Sequence, residues 1–210
     1  MPTPLTLQSL PLFPLQTVLF PGGTLPLRVF EVRYLDMVRK CQSAGAPFGV
    51  VSLTHGKEVR QAGAPDEQFS AVGTLASIEQ LEAPQPGLIT LTARGTQRFR
   101  VRKHRLLPHG LWVADVELLP QDLAVAVPTE LQSIALALDS VQRSLQARQG
   151  SAPKPSPPNP LAGSCGWVAN RWCELLPMPQ AIKLQLLELD NPLLRLELVG
   201  DVLDRTGIAP

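Results

Sequence analysis

The fold of this protein is decided near the N-terminus by residues 10–34, which read LPLFPLQTVLFPGGTLPLRVFEVRY. Four prolines interrupt this apolar stretch. They are Pro11, Pro14, Pro21 and Pro26. Because proline fixes its own φ and cannot donate to a sheet ladder, this spacing predicts sharp turns between short apolar pieces. Such turns suit the corners of a small barrel, and Phe13, Phe20 and Phe30 are expected in its core.

Alternating apolar and polar residues continue this β pattern to about Pro120. Strands are predicted at 25–29, 48–53, 72–81, 88–92, 99–102 and 112–118. The segment 93–97 contains Gly95 and is predicted as a hairpin turn. Short strands broken by glycine and proline are typical of a closed or half-closed barrel.

One helix is predicted within the β half, over 30–41, because Phe30, Tyr34, Met37, Val38 and Cys41 fall on one face. Glu31 and Arg33 are expected to fix the start of this helix and a strand contact by hydrogen bonds. The chain after Pro120 has helical periodicity instead, with Ser164 and Asn191 as predicted N-caps.

The sequence therefore predicts an α+β protein with a β-rich subdomain over 1–120 and a helical bundle over 121–210. Proline makes up 22 of the 210 residues, roughly twice its usual share of ~5%. Five of the prolines fall in 149–163, which reads QGSAPKPSPPNPLAG and is predicted to be a flexible insert.

Composition excludes several classes of protein. The net charge of +1 argues against a protein that binds polyanions through bulk charge. The N-terminus does not resemble a signal peptide, and no apolar run is long enough to suggest a membrane span. The three cysteines, Cys41, Cys165 and Cys173, lack a Cys-x-x-Cys pattern and fit free thiols in a reducing cytoplasm.

Catalytic motifs are missing from the sequence. It contains no phosphate-binding loop, nucleophile elbow or zinc-binding helix motif. Ser151 and Lys154 match the S-x-x-K pattern, but the prolines on both sides of Lys154 oppose the helical turn that a Ser–Lys pair needs. No catalytic, cofactor-binding or metal-ligating residue is predicted, and no cofactor is expected.

Basic and aromatic side chains supply the candidate binding residues. Arg98, Arg100 and Arg102 alternate along a predicted strand and would share one face. Such a row either follows a nucleic-acid backbone or pairs with carboxylates on neighbouring strands, with Glu79, Asp115 and Glu117 as candidates. The two tryptophans of the predicted helix at 164–175, Trp167 and Trp172, lie on different faces, so each is either a core residue or an exposed binding residue.

Three sequence blocks resemble the N-terminal, substrate-binding domain of Lon protease. The first block comprises Pro11–Leu15, Val18–Gly22, Leu25–Leu27, Phe30–Tyr34 and Met37. The second and third are Gly73–Ile78 and Gly95–Phe99, and Leu176–Pro177 with the leucine-rich segment after Ile182 is similar too. The resemblance covers roughly residues 8–205. It departs from the family in the Pro-rich insert and in the missing long helix that leads to the ATPase module.

The resemblance implies a PUA-like β-barrel followed by a helical bundle, without the ATPase and Ser-Lys protease domains of the full enzyme. We therefore expect a non-enzymatic module, an adaptor or a chaperone-like binder. Its expected partner is an unfolded or extended polypeptide, or a partner protein, bound near the seam of the subdomains. The candidate contacts are Tyr34, Arg98, Trp167 and Trp172. The alternatives are RNA binding through the Arg98, Arg100 and Arg102 row, since PUA-like barrels include RNA binders, and a hydrolase with an unrecognised site.

Overall fold

The structure, a computed structural model, describes residues 5–58, 67–149 and 163–207. The strands are Thr6–Leu15 (β1), Thr24–Val29 (β2), Phe48–His55 (β3), Gln68–Gln85 (β4), Leu88–Leu106 (β5) and Trp112–Leu118 (β6). The helices are Val32–Ala44 (α1), Gln132–Gln149 (α2), Cys165–Leu175 (α3), Gln180–Glu188 (α4) and Pro192–Thr206 (α5), and a 3-10 turn spans Thr129–Leu131. This content confirms the predicted α+β class.

The six strands form one sheet in the order β2-β5-β4-β3-β1-β6, and β6 also pairs with β5. Strands β1 and β3 run parallel, and the other pairs are antiparallel. The apolar face of α1 contributes Tyr34, Met37, Val38 and Cys41 to a buried cluster that also holds Val29 and Leu91 from the strands. The predicted helix face is confirmed for these four residues, but Phe30 precedes the helix and is exposed.

The predicted hairpin turn at 93–97 is wrong, because β5 continues through it for 19 residues. Gly95 marks a close approach of two backbones rather than a turn. Its N–H donates to the carbonyl oxygen of Gly23 over 2.8 Å, and its carbonyl oxygen accepts from the N–H of Gly22 over 2.8 Å. A Cβ at this position would collide with the carbonyl oxygen of Phe20.

Strand β1 contains two prolines where the sequence predicted turns. Along its first half, up to Pro11, β1 pairs with β6. From Leu12 to Leu15, a stretch that includes Pro14, it pairs with β3. Each half of β1 therefore pairs with one neighbouring strand, as an edge strand does. Edge strands tolerate proline, because one side of their backbone forms no inter-strand hydrogen bonds.

The predicted core position of Phe30 is also wrong, whereas Phe13 and Phe20 are buried as expected. Phe30 is 55% exposed. It follows Val29, which points into the core from the end of β2. Because neighbouring side chains of an extended segment point to opposite faces, Phe30 is turned outward.

The chain groups into two units, the first Met1–Gln121 with Pro179–Glu188, and the second Asp122–Met178 with Leu189–Pro210. The sequence predicts one helical subdomain over 121–210, but α4 groups with the strands. Arg98 donates from Nη1 to the carbonyl oxygen of Leu187 over 2.9 Å, and Gln180 donates from Nε2 to that of Leu53 over 2.9 Å. These long-range bonds leave no local pattern in the sequence.

The second unit is held together by buried polar contacts of α3 and α5. The indole Nε1 of Trp172 donates to the carbonyl oxygen of Ile134 over 3.0 Å.

The predicted N-caps are confirmed, because Ser164 accepts from the N–H of Trp167 and Asn191 accepts from that of Leu193. Residues 150–162 of the predicted insert lie outside the described residues.

Arg195 is the largest fully buried side chain among the described residues, at 1% exposure. It lies 2.5 Å from Oδ2 of Asp122 and 3.1 Å from Oδ1 of Asn170, and it also donates to the carbonyl oxygen of Leu189. The guanidinium of Arg195, on α5, thus joins Asp122 at the start of the second unit to Asn170 on α3.

We predict that Arg195→Ala lowers the free energy of unfolding by about 3–5 kcal/mol, because it leaves the largely buried Asp122 carboxylate, whose side chain is 9% exposed, without its guanidinium. Urea unfolding followed by circular dichroism measures this change. Arg205→Ala, at an exposed position of the same helix, is the control and is expected to change stability by less than about 0.5 kcal/mol. Equal effects of the two substitutions would contradict the prediction.

Candidate functional site

Three of the four predicted contact residues are buried. Tyr34 and Arg98 are each 3% exposed and Trp172 is 2% exposed. Tyr34 stacks on Phe13 with ring centroids 4.0 Å apart, and burial raises the pKa of its phenol. A partner cannot reach these side chains in this conformation, because each is packed inside its own unit. Trp167 is half-buried, so its role in binding stays a prediction.

The arginine row does not form one exposed face. Arg98 is buried, Arg100 is half-buried and Arg102 is exposed, and the register of β5 with β6 shifts between Val101 and Lys103. Arg102 donates from Nε to Oε2 of Glu117 over 2.6 Å. Pairing with a carboxylate on a neighbouring strand is the alternative to nucleic-acid binding that the sequence also predicts for this row. Another example is the ion pair between Arg94 and Glu79.

The Phe-Glu-x-Arg-Tyr segment builds a buried polar cluster at the start of α1. Arg33 donates from Nε to Oε2 of Glu31 over 3.1 Å and from Nη1 to the carbonyl oxygen of Gly110 over 2.8 Å. Its guanidinium also lies 3.3 Å from Oε1 of Glu67 and 4.5 Å from the centre of the Tyr34 ring. Glu31 and Arg33 are hydrogen-bonded to each other at the helix start, as expected, but the Glu31 side chain does not cap the helix and the expected strand contact is replaced by contacts with Glu67 and Gly110, which lie outside the strands.

Glu67 is the member of this cluster that the sequence did not indicate. Its carboxylate, 8% exposed, accepts from Nε1 of Trp112 over 3.1 Å as well as pairing with Arg33. Burial alone would raise the pKa of Glu67, but the hydrogen bond from Trp112 and the charge of Arg33 lower it below the ordinary value. No local pattern marks this glutamate, because its partners lie 34 and 45 residues away along the chain.

Two apolar side chains are exposed at the junction of β2 and α1. Phe30 is 55% exposed and Val32 is 74% exposed. They flank Glu31, the N-cap residue of α1. The buried contacts of Arg33 fix the helix start immediately beside them. We call Phe30 and Val32 the apolar pair.

The described residues contain little that would serve a small ligand. No group of three or more His, Cys, Asp or Glu side chains among them is arranged to hold a metal ion. A crevice lined by residues such as Thr17, Ser52 and Leu187 has an empty volume of only about 160 Å³, below the ~300 Å³ at which ligand pockets begin. The three cysteines are free and buried, and burial raises the pKa of the Cys41 thiol. None of the described helices combines the length and the apolarity that a membrane crossing requires.

The chain matches the ATP-dependent protease La (LON) substrate-binding domain over residues 9–205. The protein belongs to this family. A similar LON N-terminal domain protein of known structure comes from Xanthomonas campestris. It is 36% identical, superimposes with a TM-score of 0.68, and the alignment covers 92% of this chain and 97% of that one. The N-terminal domain of the Lon protease from the Mycobacterium avium complex shares the fold at 19% identity, with a TM-score of 0.56 and the same coverage of 92% and 97%.

Cereblon is also similar to this LON-domain protein. Cereblon from Xenopus tropicalis is 32% identical over 142 residues, which cover 66% of this chain and 29% of cereblon. Cereblon from Danio rerio is 33% identical over 120 residues, which cover 55% of this chain and 26% of cereblon. The chain therefore spans less than a third of the length of these relatives.

The lowered pKa of Glu67 predicts an acid-dependent loss of stability. A carboxyl group whose pKa is depressed by folding stabilises the folded state above the unfolded-state pKa of about 4.3, and this contribution is lost as the pH falls through the folded-state value. Glu67→Gln is expected to be less stable than wild type at pH 7, and the difference is expected to shrink as the pH falls below about 4.3. Urea unfolding at several pH values measures it. A difference independent of pH would contradict the assignment, and Glu82→Gln, at an exposed site, is the control.

Proposed function

We propose that this LON-domain protein binds unfolded or extended segments of other polypeptides and acts as an adaptor or chaperone-like recognition module, by binding rather than catalysis. Membership of the LON substrate-binding domain family is the observation that carries the proposal. We further propose that the five strands β5, β4, β3, β1 and β6, which the pairing of β6 with β5 joins into a ring, form a closed PUA-like barrel, with β2 outside the ring. Three free buried thiols support a reducing, cytoplasmic location.

The apolar pair is the proposed contact on the first unit. Both side chains are more than half exposed, and they lie one residue apart on either side of Glu31. Burying such side chains against the apolar side chains of an unfolded segment removes apolar surface from water, which favours binding. Trp167 is the proposed contact that remains in the second unit.

RNA binding is less well supported. Its strongest candidate residue, Arg98, is buried and donates to the carbonyl oxygen of Leu187. Arg102 already has a carboxylate partner in Glu117. A phosphate backbone would have to compete with that ion pair for Arg102.

The proposal is tested with fluorescein-labelled α-lactalbumin that has been reduced and carboxymethylated, so that it stays unfolded. We expect saturable binding by fluorescence anisotropy, and a loss of affinity of about tenfold or more in the double variant Phe30→Ser with Val32→Ser, because two apolar contacts are lost. Leu136→Ser, at a site on α2 that is 65% exposed, is the matched control and is expected to bind like wild type.

The absence of saturable binding at concentrations up to about 100 μM, a range typical of weak complexes, would overturn the proposed function. Equal affinities of the double variant and wild type would overturn the role of the apolar pair. The same mixtures, incubated with and without ATP, are expected to leave the probe intact on a denaturing gel. Cleavage would show that the protein is a hydrolase instead.

A further inference from the structure

Strand β2 stands at one end of the strand order and, within the described residues, pairs with β5 alone. Its six residues keep an uninterrupted antiparallel register, from Thr24 opposite Arg94 to Val29 opposite Ile89. One side of this strand is therefore fully paired. The other side is an edge of the sheet.

The hydrogen bonds beside β2 show which of its residues face that edge. The N–H of Gly95 donates to the carbonyl oxygen of Gly23, and in an antiparallel ladder the inter-strand bonds recur at every second residue. Leu25, Leu27 and Val29 therefore direct their backbone groups towards β5. The backbone groups of the alternate residues Thr24, Pro26 and Arg28 point away from β5, and the side chains of these three residues are exposed.

This edge offers two N–H donors, from Thr24 and Arg28, and the carbonyl oxygens of Thr24, Pro26 and Arg28. Pro26 removes the N–H between the two donors without weakening the pairing with β5. A proline at an outward position is one of the means by which natural edge strands resist uncontrolled pairing. The donors and acceptors are spaced to match the main chain of another strand.

The apolar pair lies at the C-terminal end of this edge. Phe30 follows β2 directly, and Val32 opens α1. Together the edge and the pair combine main-chain hydrogen bonding with exposed apolar surface. The occupant that fits this chemistry is an extended chain that carries apolar side chains.

A second copy of this protein fits the edge less well. If two β2 strands paired antiparallel about their centres, Pro26 would lie opposite Pro26, and the two central hydrogen bonds would be missing because neither residue has an N–H. An unfolded segment with a residue other than proline opposite Pro26 loses only one of these two hydrogen bonds, because its own N–H still donates to the carbonyl oxygen of Pro26.

We propose that the free edge of β2 binds an extended apolar segment of an unfolded polypeptide as an added strand, through the backbone of Thr24 and Arg28, with the apolar pair contacting its side chains. This inference rests on the proposed function and names the surface and the mode of binding. It predicts recognition that depends on main-chain groups of this edge and only weakly on the Arg28 side chain.

Three substitutions separate the backbone from the side chain. Arg28→Pro removes an outward N–H and is expected to weaken binding of the labelled α-lactalbumin about fivefold or more, since one hydrogen bond contributes about that factor. Arg28→Ala keeps the N–H and is the matched control, expected to bind within about twofold of wild type. Pro26→Ala adds a donor and is expected to strengthen binding by up to about fivefold.

Amide hydrogen exchange, followed residue by residue by NMR, provides a second readout on the wild-type protein. The amides of Thr24 and Arg28 are expected to exchange quickly in the free protein and to slow when saturating unlabelled carboxymethylated α-lactalbumin is added. Those of Leu25 and Leu27, bonded to β5 throughout, are expected to be slow in both states. If circular dichroism shows that Arg28→Pro does not fold, the exchange rates of the wild-type protein and the binding affinity of Pro26→Ala test the inference instead.

Several outcomes would overturn the inference. If wild type binds and the apolar-pair variant binds weakly, while Arg28→Pro, Pro26→Ala and the exchange rates show no effect, the edge is not used and the proposed function stands. Equal losses in Arg28→Pro and Arg28→Ala would assign the contact to the side chain. A dimer in sedimentation equilibrium that Arg28→Pro dissociates would make a second copy the occupant. If wild type does not bind the probe, the proposed function fails and this inference fails with it.

Discussion

The guanidinium of Arg33 is the contact on which the geometry of the first unit's candidate surface depends. It hydrogen bonds to Glu31, Glu67 and the carbonyl oxygen of Gly110, so one buried charge joins the helix start, the approach to β4 and the loop before β6. A buried arginine is stable only when its charge and its N–H groups are satisfied, so these partners restrain where α1 begins. Since β2 ends three residues before Val32, the same restraint holds the chain at the end of the β2 edge, where Phe30 and Val32 are exposed.

The proline content, which first suggested a chain cut into short pieces, has a different physical basis in the β half. Pro11 and Pro14 lie within β1, where the ladder changes from β6 to β3, and Pro26 lies where the β2 backbone faces away from β5. At Pro26 the missing N–H falls on the side where the strand's own sheet does not require it, and at Pro11 and Pro14 the segment of β1 pairs with one neighbouring strand rather than two. Proline therefore limits how many neighbours a strand segment has, rather than preventing the strand.

Local chemistry made part of this fold predictable. The caps at Ser164 and Asn191, the buried face of α1 and the span of β6 each depend on residues close together in sequence, and each was predicted correctly. The length of β5, the grouping of α4 with the strands and the burial of Arg98 depend on partners far along the chain. The outward position of Phe30 was within reach of sequence reasoning, because the alternation that buries Val29 already implies it. Glu67 was not, since its partners Arg33 and Trp112 become neighbours only after folding.

The burial of the predicted binding residues favours recognition through main-chain groups over recognition through aromatic or basic side chains. The aromatic and basic side chains that the sequence offered as binding residues, Tyr34, Arg98 and Trp172, are used inside the units, and the described crevice is too small to enclose a ligand. Among the described residues, the accessible groups at the junction of β2 and α1 include the outer main chain of β2 and the two apolar side chains of Phe30 and Val32. Main-chain hydrogen bonds are available from every residue except proline, so an edge of this kind would discriminate little between sequences. Selectivity would then come from the apolar pair, which favours segments with apolar side chains, and these are the segments that folded proteins bury and unfolded ones expose.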